Sequence, residues 1–130
     1  MAVLNPWLYK SERKDFSYER RDTSTAYIPY GRGDFYFAGG FFGGGVGEVH
    51  QLVTACRHNL EADRLVGVEA KWQEESHVNR YLVVNKPTKV LSPEYLWDEE
   101  LTERRMRGDE IKLIRFATVR KNMTEVRENI

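Results

Sequence analysis

The chain has 130 residues, 41% hydrophobic and 12% aromatic, enough for one compact domain with a real core and too apolar for a disordered polymer. Lys and Arg number 20 and Asp and Glu number 20, so no net field draws in nucleic acid or an anionic membrane surface. The single cysteine, Cys56, excludes an internal disulfide framework, and with no bilayer-length apolar run and no signal-peptide pattern after Met1 the sequence predicts a soluble chain.

Residues 1–9 hold an apolar and aromatic cluster, Val3, Leu4, Trp7, Leu8 and Tyr9, interrupted by Pro6. Chain ends fray unless tied down, so this cluster is expected to pack on something. Residues 10–21 read as a charged connector, with Arg20 and Arg21 as a solvated surface pair. Residues 31–47 carry eight of the ten glycines, interleaved with Phe35, Tyr36, Phe37, Phe41 and Phe42. That pattern predicts a strand-like segment whose bare backbone something approaches closely, either a packed helix or a ligand over Gly39 and Gly40. Neither a dinucleotide fingerprint nor a P-loop is spelled there.

Val46, Val49, Leu52, Val53, Cys56 and Leu60 recur at intervals of three and four and predict a helix over 46–63, with Cys56 as a core thiol. His50 and His58 fall off that stripe, and no metal-ligand spacing is present. Residues 66–70 are expected to form a short strand. It leads into Trp72-Gln73-Glu74-Glu75, a flat ring beside two adjacent carboxylates. A sugar stacks its apolar face on such a ring while its hydroxyls seek charged acceptors, and a carboxylate can steady a cationic reaction centre. A helix over 74–85 follows, with Val78, Tyr81 and Leu82 inward and an end enforced by Pro87. Helical spacing does not choose between Glu74 and Glu75, and both also suit a first helical turn. Beyond it the pattern predicts a strand over 89–91, an ordered aromatic loop over 92–98, a charged loop over 99–110, a final strand over 111–119 and a cationic tail.

Phe16-Ser17-Tyr18-Glu19-Arg20-Arg21, Ala26-Tyr27-Ile28-Pro29, Glu74-Glu75-Ser76-His77-Val78-Asn79 and the run from Lys86 to Asp98 together resemble family 6 glycosyltransferases, in order and from about Leu4 onward. The resemblance implies an α/β chain, the C-terminal part of a GT-A fold with a mixed sheet. It implies retaining transfer of galactose or N-acetylgalactosamine from a UDP-sugar to the 3-hydroxyl of a terminal galactose-type sugar, with Mn²⁺, in a membrane-anchored protein of the Golgi lumen. By the same resemblance Glu75 is the catalytic carboxylate, either nucleophile or stabiliser of an oxocarbenium-like centre. Asn5, Ser17, Trp72 and Asp98 are acceptor-binding, and Ala38, Gly39, Gly40, Glu74, Lys121 and Arg127 are donor-binding. Asn5 stands where blood-group members have His and Ser17 where they have Thr, so acceptor preference is expected to differ. The small Gly40 leaves room for an acetamido group and leans the donor toward N-acetylgalactosamine, although Ala38 fits neither blood-group pattern.

The family's metal-holding Asp-x-Asp motif is absent from the sequence. The resemblance therefore implies that residues 1–130 are the acceptor-side part of the catalytic domain, with the nucleotide and metal half expected before Met1. Without those ligands the leaving UDP lacks its main charge stabilisation, so the isolated chain is expected to be inactive and prone to self-association. The alternatives are a carbohydrate-binding protein without turnover and a non-functional gene fragment.

Overall fold

A computed structural model of the chain describes residues 1–104, 111–119 and 122. Three strands form one mixed sheet: β1 (Ala2–Leu4) lies in the centre, β2 (Phe37–Phe42) on one side and β3 (Val90–Leu91) on the other. The β1–β2 pair is antiparallel with Ala2 opposite Phe42 and Leu4 opposite Phe37, a register that slips between the two points. Against β3 the pairing is parallel, Ala2 with Val90 and Val3 with Leu91. The apolar cluster at 1–9 packs only in part: Val3 is buried in the middle of the sheet and Leu4, Leu8 and Tyr9 are half-buried, but Trp7 stays exposed.

Two helices cover the sheet. Helix α1 (Val46–Leu65) and helix α2 (Glu74–Val84) pack on each other, and α2 also packs on β2. Their shared core is Ala2, Phe37, Leu52, Cys56, Val78 and Leu82, with Tyr81 at its margin, so Cys56 is the buried thiol expected. Burial pushes that thiol up to about 11, away from nucleophilic use at neutral pH. Only part of the α1 stripe is inward: Val46 and Val53 face solvent, because α1 has a partner on one narrow side. A second cluster, Phe16, Tyr18, Ile28 and Tyr36, lies beside the first and is made of ring-on-ring contacts.

Three expectations fail for identifiable reasons. Residues 66–70 form no strand, because Gly67 takes φ of +71° and closes α1. The Gly67 N–H donates to the Arg64 carbonyl at 3.1 Å and the Val68 N–H to that of Asp63 at 2.9 Å, so the chain folds back on the helix end. The charged loop begins instead as helix α3 (Glu99–Arg104), nucleated by Asp98. Residues 111–119 are irregular apart from one parallel bridge, Trp97 with Ala117. The aromatic loop at 92–98 is ordered as expected and winds into a 3₁₀ turn, Pro93–Leu96. Among the described residues no helix is long and apolar enough to cross a membrane.

Candidate functional site

Strand β2 and the first turns of α2 create the site by gripping each other through polar groups. The Asn79 carboxamide accepts from the Phe37 N–H at 2.9 Å and donates to the Phe37 carbonyl at 2.8 Å, pairing with β2 as a neighbouring strand would. Its amide also donates to the Glu75 carbonyl at 2.9 Å. One turn earlier, Glu75 follows the same direction onto β2. Its Oε1 accepts from the Tyr36 hydroxyl at 2.7 Å and its Oε2 from the Gly39 N–H at 2.8 Å. Two donors of fixed direction leave this carboxylate little freedom to rotate. Burial, and then the neighbouring Glu75 charge, push the Tyr36 phenol far above its ordinary value, so it stays a donor.

The bare backbone of β2 now has an explanation at one position. A Cβ on Gly39 would lie 3.0 Å from the Glu75 Cβ and 3.1 Å from its Cα, so the close approach there is that of α2. At Gly40 a Cβ would meet only Leu96 Cδ2 at 3.5 Å, an ordinary contact, and the residue is exposed. Ala38 is buried in the strand.

The structure also separates the two adjacent acids. Glu75 is half-buried against β2, whereas Glu74 is exposed and borders a cavity of about 560 Å³ together with Glu69, Gln73 and His77. Ahead of them the backbone is strained. Trp72 and Gln73 have φ of +57° and +48°, a region costing a non-glycine residue about 1–3 kcal/mol. The Trp72 side chain remains 45% exposed.

Asn5 and Asp98 converge on Trp7, which the sequence had offered only as part of an apolar cluster. The Asn5 Oδ1 accepts from the Trp7 N–H at 2.9 Å, and Asp98 Oδ2 accepts from the Trp7 indole N–H at 2.9 Å. Asp98 Oδ1 also accepts from the Glu100 N–H at 3.0 Å, capping α3. The Asn5 N–H donates to the Tyr36 carbonyl at 3.0 Å, which joins this group to the residue that holds Glu75. Ser17 lies between Phe16 and Tyr18, whose rings pack against Tyr36. Lys121 and Arg127 lie outside the described residues.

The charged connector is not a plain solvated run. Glu19 is 2% exposed and pairs with Arg21, Nε to Oε1 at 2.9 Å and Nη2 to Oε2 at 2.6 Å. The Arg21 guanidinium, against the opposing effect of burial, holds the Glu19 carboxyl down at about 2. Arg20 lies between the rings of Tyr18 and Tyr30, 5.2 and 4.2 Å from their centroids. His77, passed over in the sequence, is fully buried with its Nε2 3.6 Å from Asp63 Oδ2. The signal for it was position: four residues before Tyr81, it lies one turn away on the same face of α2.

The resemblance implies Mn²⁺, for which clustered metal-ligating side chains are needed. Among the described residues no group of three or more His, Cys, Asp and Glu could hold a metal ion, so these residues do not fit one.

Comparison with known proteins adds ancestry to this geometry. The family model described as Glycosyltransferase family 6 matches residues 1–128. The chain is 51% identical over 126 residues to histo-blood group ABO system transferase 1 of Rattus norvegicus, covering 97% of this chain and 35% of that protein. It is 49% identical over 127 residues to globoside alpha-1,3-N-acetylgalactosaminyltransferase 1 of Gallus gallus, covering 98% and 36%. With alpha-1,3-galactosyltransferase 2 of Homo sapiens it shares 38% over 104 residues, 80% of this chain and 31% of the relative. The chain thus spans about a third of the length of these relatives. A match over nearly the whole chain, on the residues that also build the Glu75 cradle, makes this chain a member of glycosyltransferase family 6.

Proposed function

We propose that this chain is the acceptor-side part of a retaining α1,3-glycosyltransferase of GT-A fold, moving galactose or N-acetylgalactosamine from a UDP-sugar to a terminal galactose-type sugar. The observation that carries the reading is the Glu75 carboxylate, clamped between the Tyr36 hydroxyl and the Gly39 N–H beside the exposed Gly40 backbone. A carboxylate fixed before substrate arrives needs no reorganisation when positive charge develops at a sugar carbon. Family membership supports the direction of the chemistry, and two of the relatives are named as α1,3 transferases.

Trp72 offers its exposed ring to the apolar face of the acceptor, with Asn5, Ser17 and Asp98 on the acceptor side. The exposed Gly40 and Glu74 face the donor sugar, with Ala38 and Gly39 behind them shaping β2, and Lys121 and Arg127 take its diphosphate, for which arginine and lysine are suited. The small, exposed Gly40 leaves room for an acetamido group and favours N-acetylgalactosamine over galactose. The metal ligands and the remaining nucleotide contacts belong to sequence outside the matched third of the relatives, and the whole protein works membrane-anchored in the Golgi lumen.

The test replaces the corresponding third of the rat ABO transferase 1 with this chain and measures transfer from UDP-sugars to a galactose-terminated acceptor. The hybrid is expected to transfer sugar, and Glu75→Gln to lower its kcat by about 100-fold or more while acceptor binding survives. An active Glu75→Gln hybrid would remove Glu75 from the chemistry. Mn²⁺-dependent transfer by the 130-residue chain alone would overturn the division of labour.

A further inference from the structure

Trp72 and Gln73 are the non-glycine residues with positive φ among the described residues, and they stand directly before the two acids of α2. Such a turn persists only where its surroundings over-determine it. Here the constraint comes from a distant segment. The Lys71 N–H donates to Glu19 Oε2 at 2.7 Å, across 52 residues of chain, and Arg21 Nη2 donates to the Glu69 carbonyl at 2.6 Å. One N–H and one carbonyl flanking Ala70 are thus gripped from 19–21. The Ser76 hydroxyl takes the Lys71 carbonyl from the other side, and the Gln73 N–H returns to Ala70 at 2.9 Å.

Glu19 and Arg21 are built for this grip. Arg21 closes on Glu19 through two parallel N–H bonds, and its backbone N–H adds a third to Oε1 at 2.8 Å. A guanidinium fork can hold the carboxylate and still reach a carbonyl, which a lysine ammonium on a flexible stem does not reproduce. Apart from the contacts within the pair, the hydrogen bonds of both side chains fall on residues 69 and 71.

We propose that the Glu19–Arg21 pair is a positioning device, which holds the 69–73 turn so that Trp72 projects outward and α2 begins where Glu75 reaches β2. It rests on the reading of Trp72 and Glu75 as sugar-handling residues. Neither Glu19 nor Arg21 touches the sugar; both act through the turn. A general stabilising ion pair would loosen the whole domain when broken, whereas a positioning pair loosens the turn first.

The test uses the 130-residue chain carrying 5-fluorotryptophan at its three tryptophans, Trp7, Trp72 and Trp97. In Glu19→Gln, which keeps the side-chain volume, the Trp72 fluorine resonance is expected to shift and broaden while that of Trp97 stays. Amide exchange at Lys71, Gln73 and Glu75 should rise by about tenfold, with Leu52 and Cys56 unchanged. Arg21→Lys should move the same signals, and the double variant should add little, because the two residues act as a unit. Binding of a methyl galactoside should weaken in both single variants. Equal acceleration of exchange in α1, or an unmoved Trp72 resonance, would overturn the proposal. A loosened turn in a chain whose unaltered form binds no galactoside would uphold the brace and sink the sugar reading instead.

Discussion

The two sides of α2 treat buried polar groups in opposite ways. Toward β2, Asn79 and Glu75 meet donors and acceptors of the strand at 2.7 to 2.9 Å. Toward α1, His77 is fully buried with neither ring nitrogen hydrogen-bonded, 3.6 Å from an Asp63 whose oxygens are taken by the Ser24 hydroxyl at 2.5 Å and the Thr25 N–H at 2.7 Å. Burial pushes the Asp63 carboxyl up, but the bonds from Ser24 and Thr25 and the facing His77 outweigh it and leave it low. A satisfied polar contact fixes an orientation. An unsatisfied one can only avoid charge, and burial accordingly pushes the His77 imidazole down against the pull of Asp63 and Glu19.

The contrast breaks most severely at Asn79. Asn79→Ala orphans the Phe37 N–H and carbonyl inside the core at about 1–3 kcal/mol for each group, so urea unfolding should show a loss of about 3 kcal/mol or more. Asn79→Asp keeps an acceptor for the Phe37 N–H but sets a buried carboxylate oxygen against the Phe37 and Glu75 carbonyls, so at neutral pH it should lose at least as much. If both variants unfold with the unaltered chain, α2 is held by its apolar face alone.

Next comes Gly39. A methyl group there meets Glu75 at 3.0 Å and forces α2 back, so Gly39→Ala should cost about 1–3 kcal/mol, while Gly40→Ala, with Leu96 at 3.5 Å, should be near neutral. Thermal melts of the pair read the difference, and equal melts would refute the close approach. Tyr36→Phe removes one bond to Glu75 and should cost about 1 kcal/mol, seen as a small fall in the urea midpoint with unchanged slope.

The smallest effect is one of pH. The unfolded chain binds a proton at His77 near its ordinary value of 6.5, while the folded chain resists it. The unfolded state then holds more protons, so stability is full above that value and falls as pH drops through it toward the depressed folded value. His77→Gln should flatten the stability profile between about pH 7.5 and 5.5. The Glu19 carboxyl, held near 2, contributes a separate loss that begins only below its ordinary 4.5. An unchanged profile in His77→Gln would place the titration elsewhere.

Much of this architecture was legible because it is periodic or punctuated. The α1 stripe and Pro87 gave two helices whose spans agree closely with the structure. Where local propensity was the whole argument, it failed. Val66 and Val68 favour a strand, but Gly67 between them accepts a positive φ and reverses the chain. Residues 111–119 carry β-formers yet find one bridging partner at Trp97. Helix α3 had a visible signal, since Asp98 before two glutamates is a helix-start pattern that the charge of the segment obscured. For the candidate site, the ring beside two acids is a local pattern that does not tell Glu74 from Glu75, whereas the cradle that sets Glu75 apart comes from Tyr36 and Gly39, 39 and 36 residues away. The Glu19 grip spans still more chain, and no local rule reads it.

The parallel pairing of β1 with β3 also sets a timetable. Ala2 leaves the ribosome well before Val90, the residue it lies beside, and at about 5–20 residues per second the wait is roughly 4–18 s. Strand β2 arrives earlier and can close one edge of β1 as an antiparallel ribbon, leaving the opposite edge of the sheet's middle strand bare in the nascent chain. During that interval β1 is open to whichever strand reaches it first, so the middle of the finished sheet is the most vulnerable edge of the unfinished one.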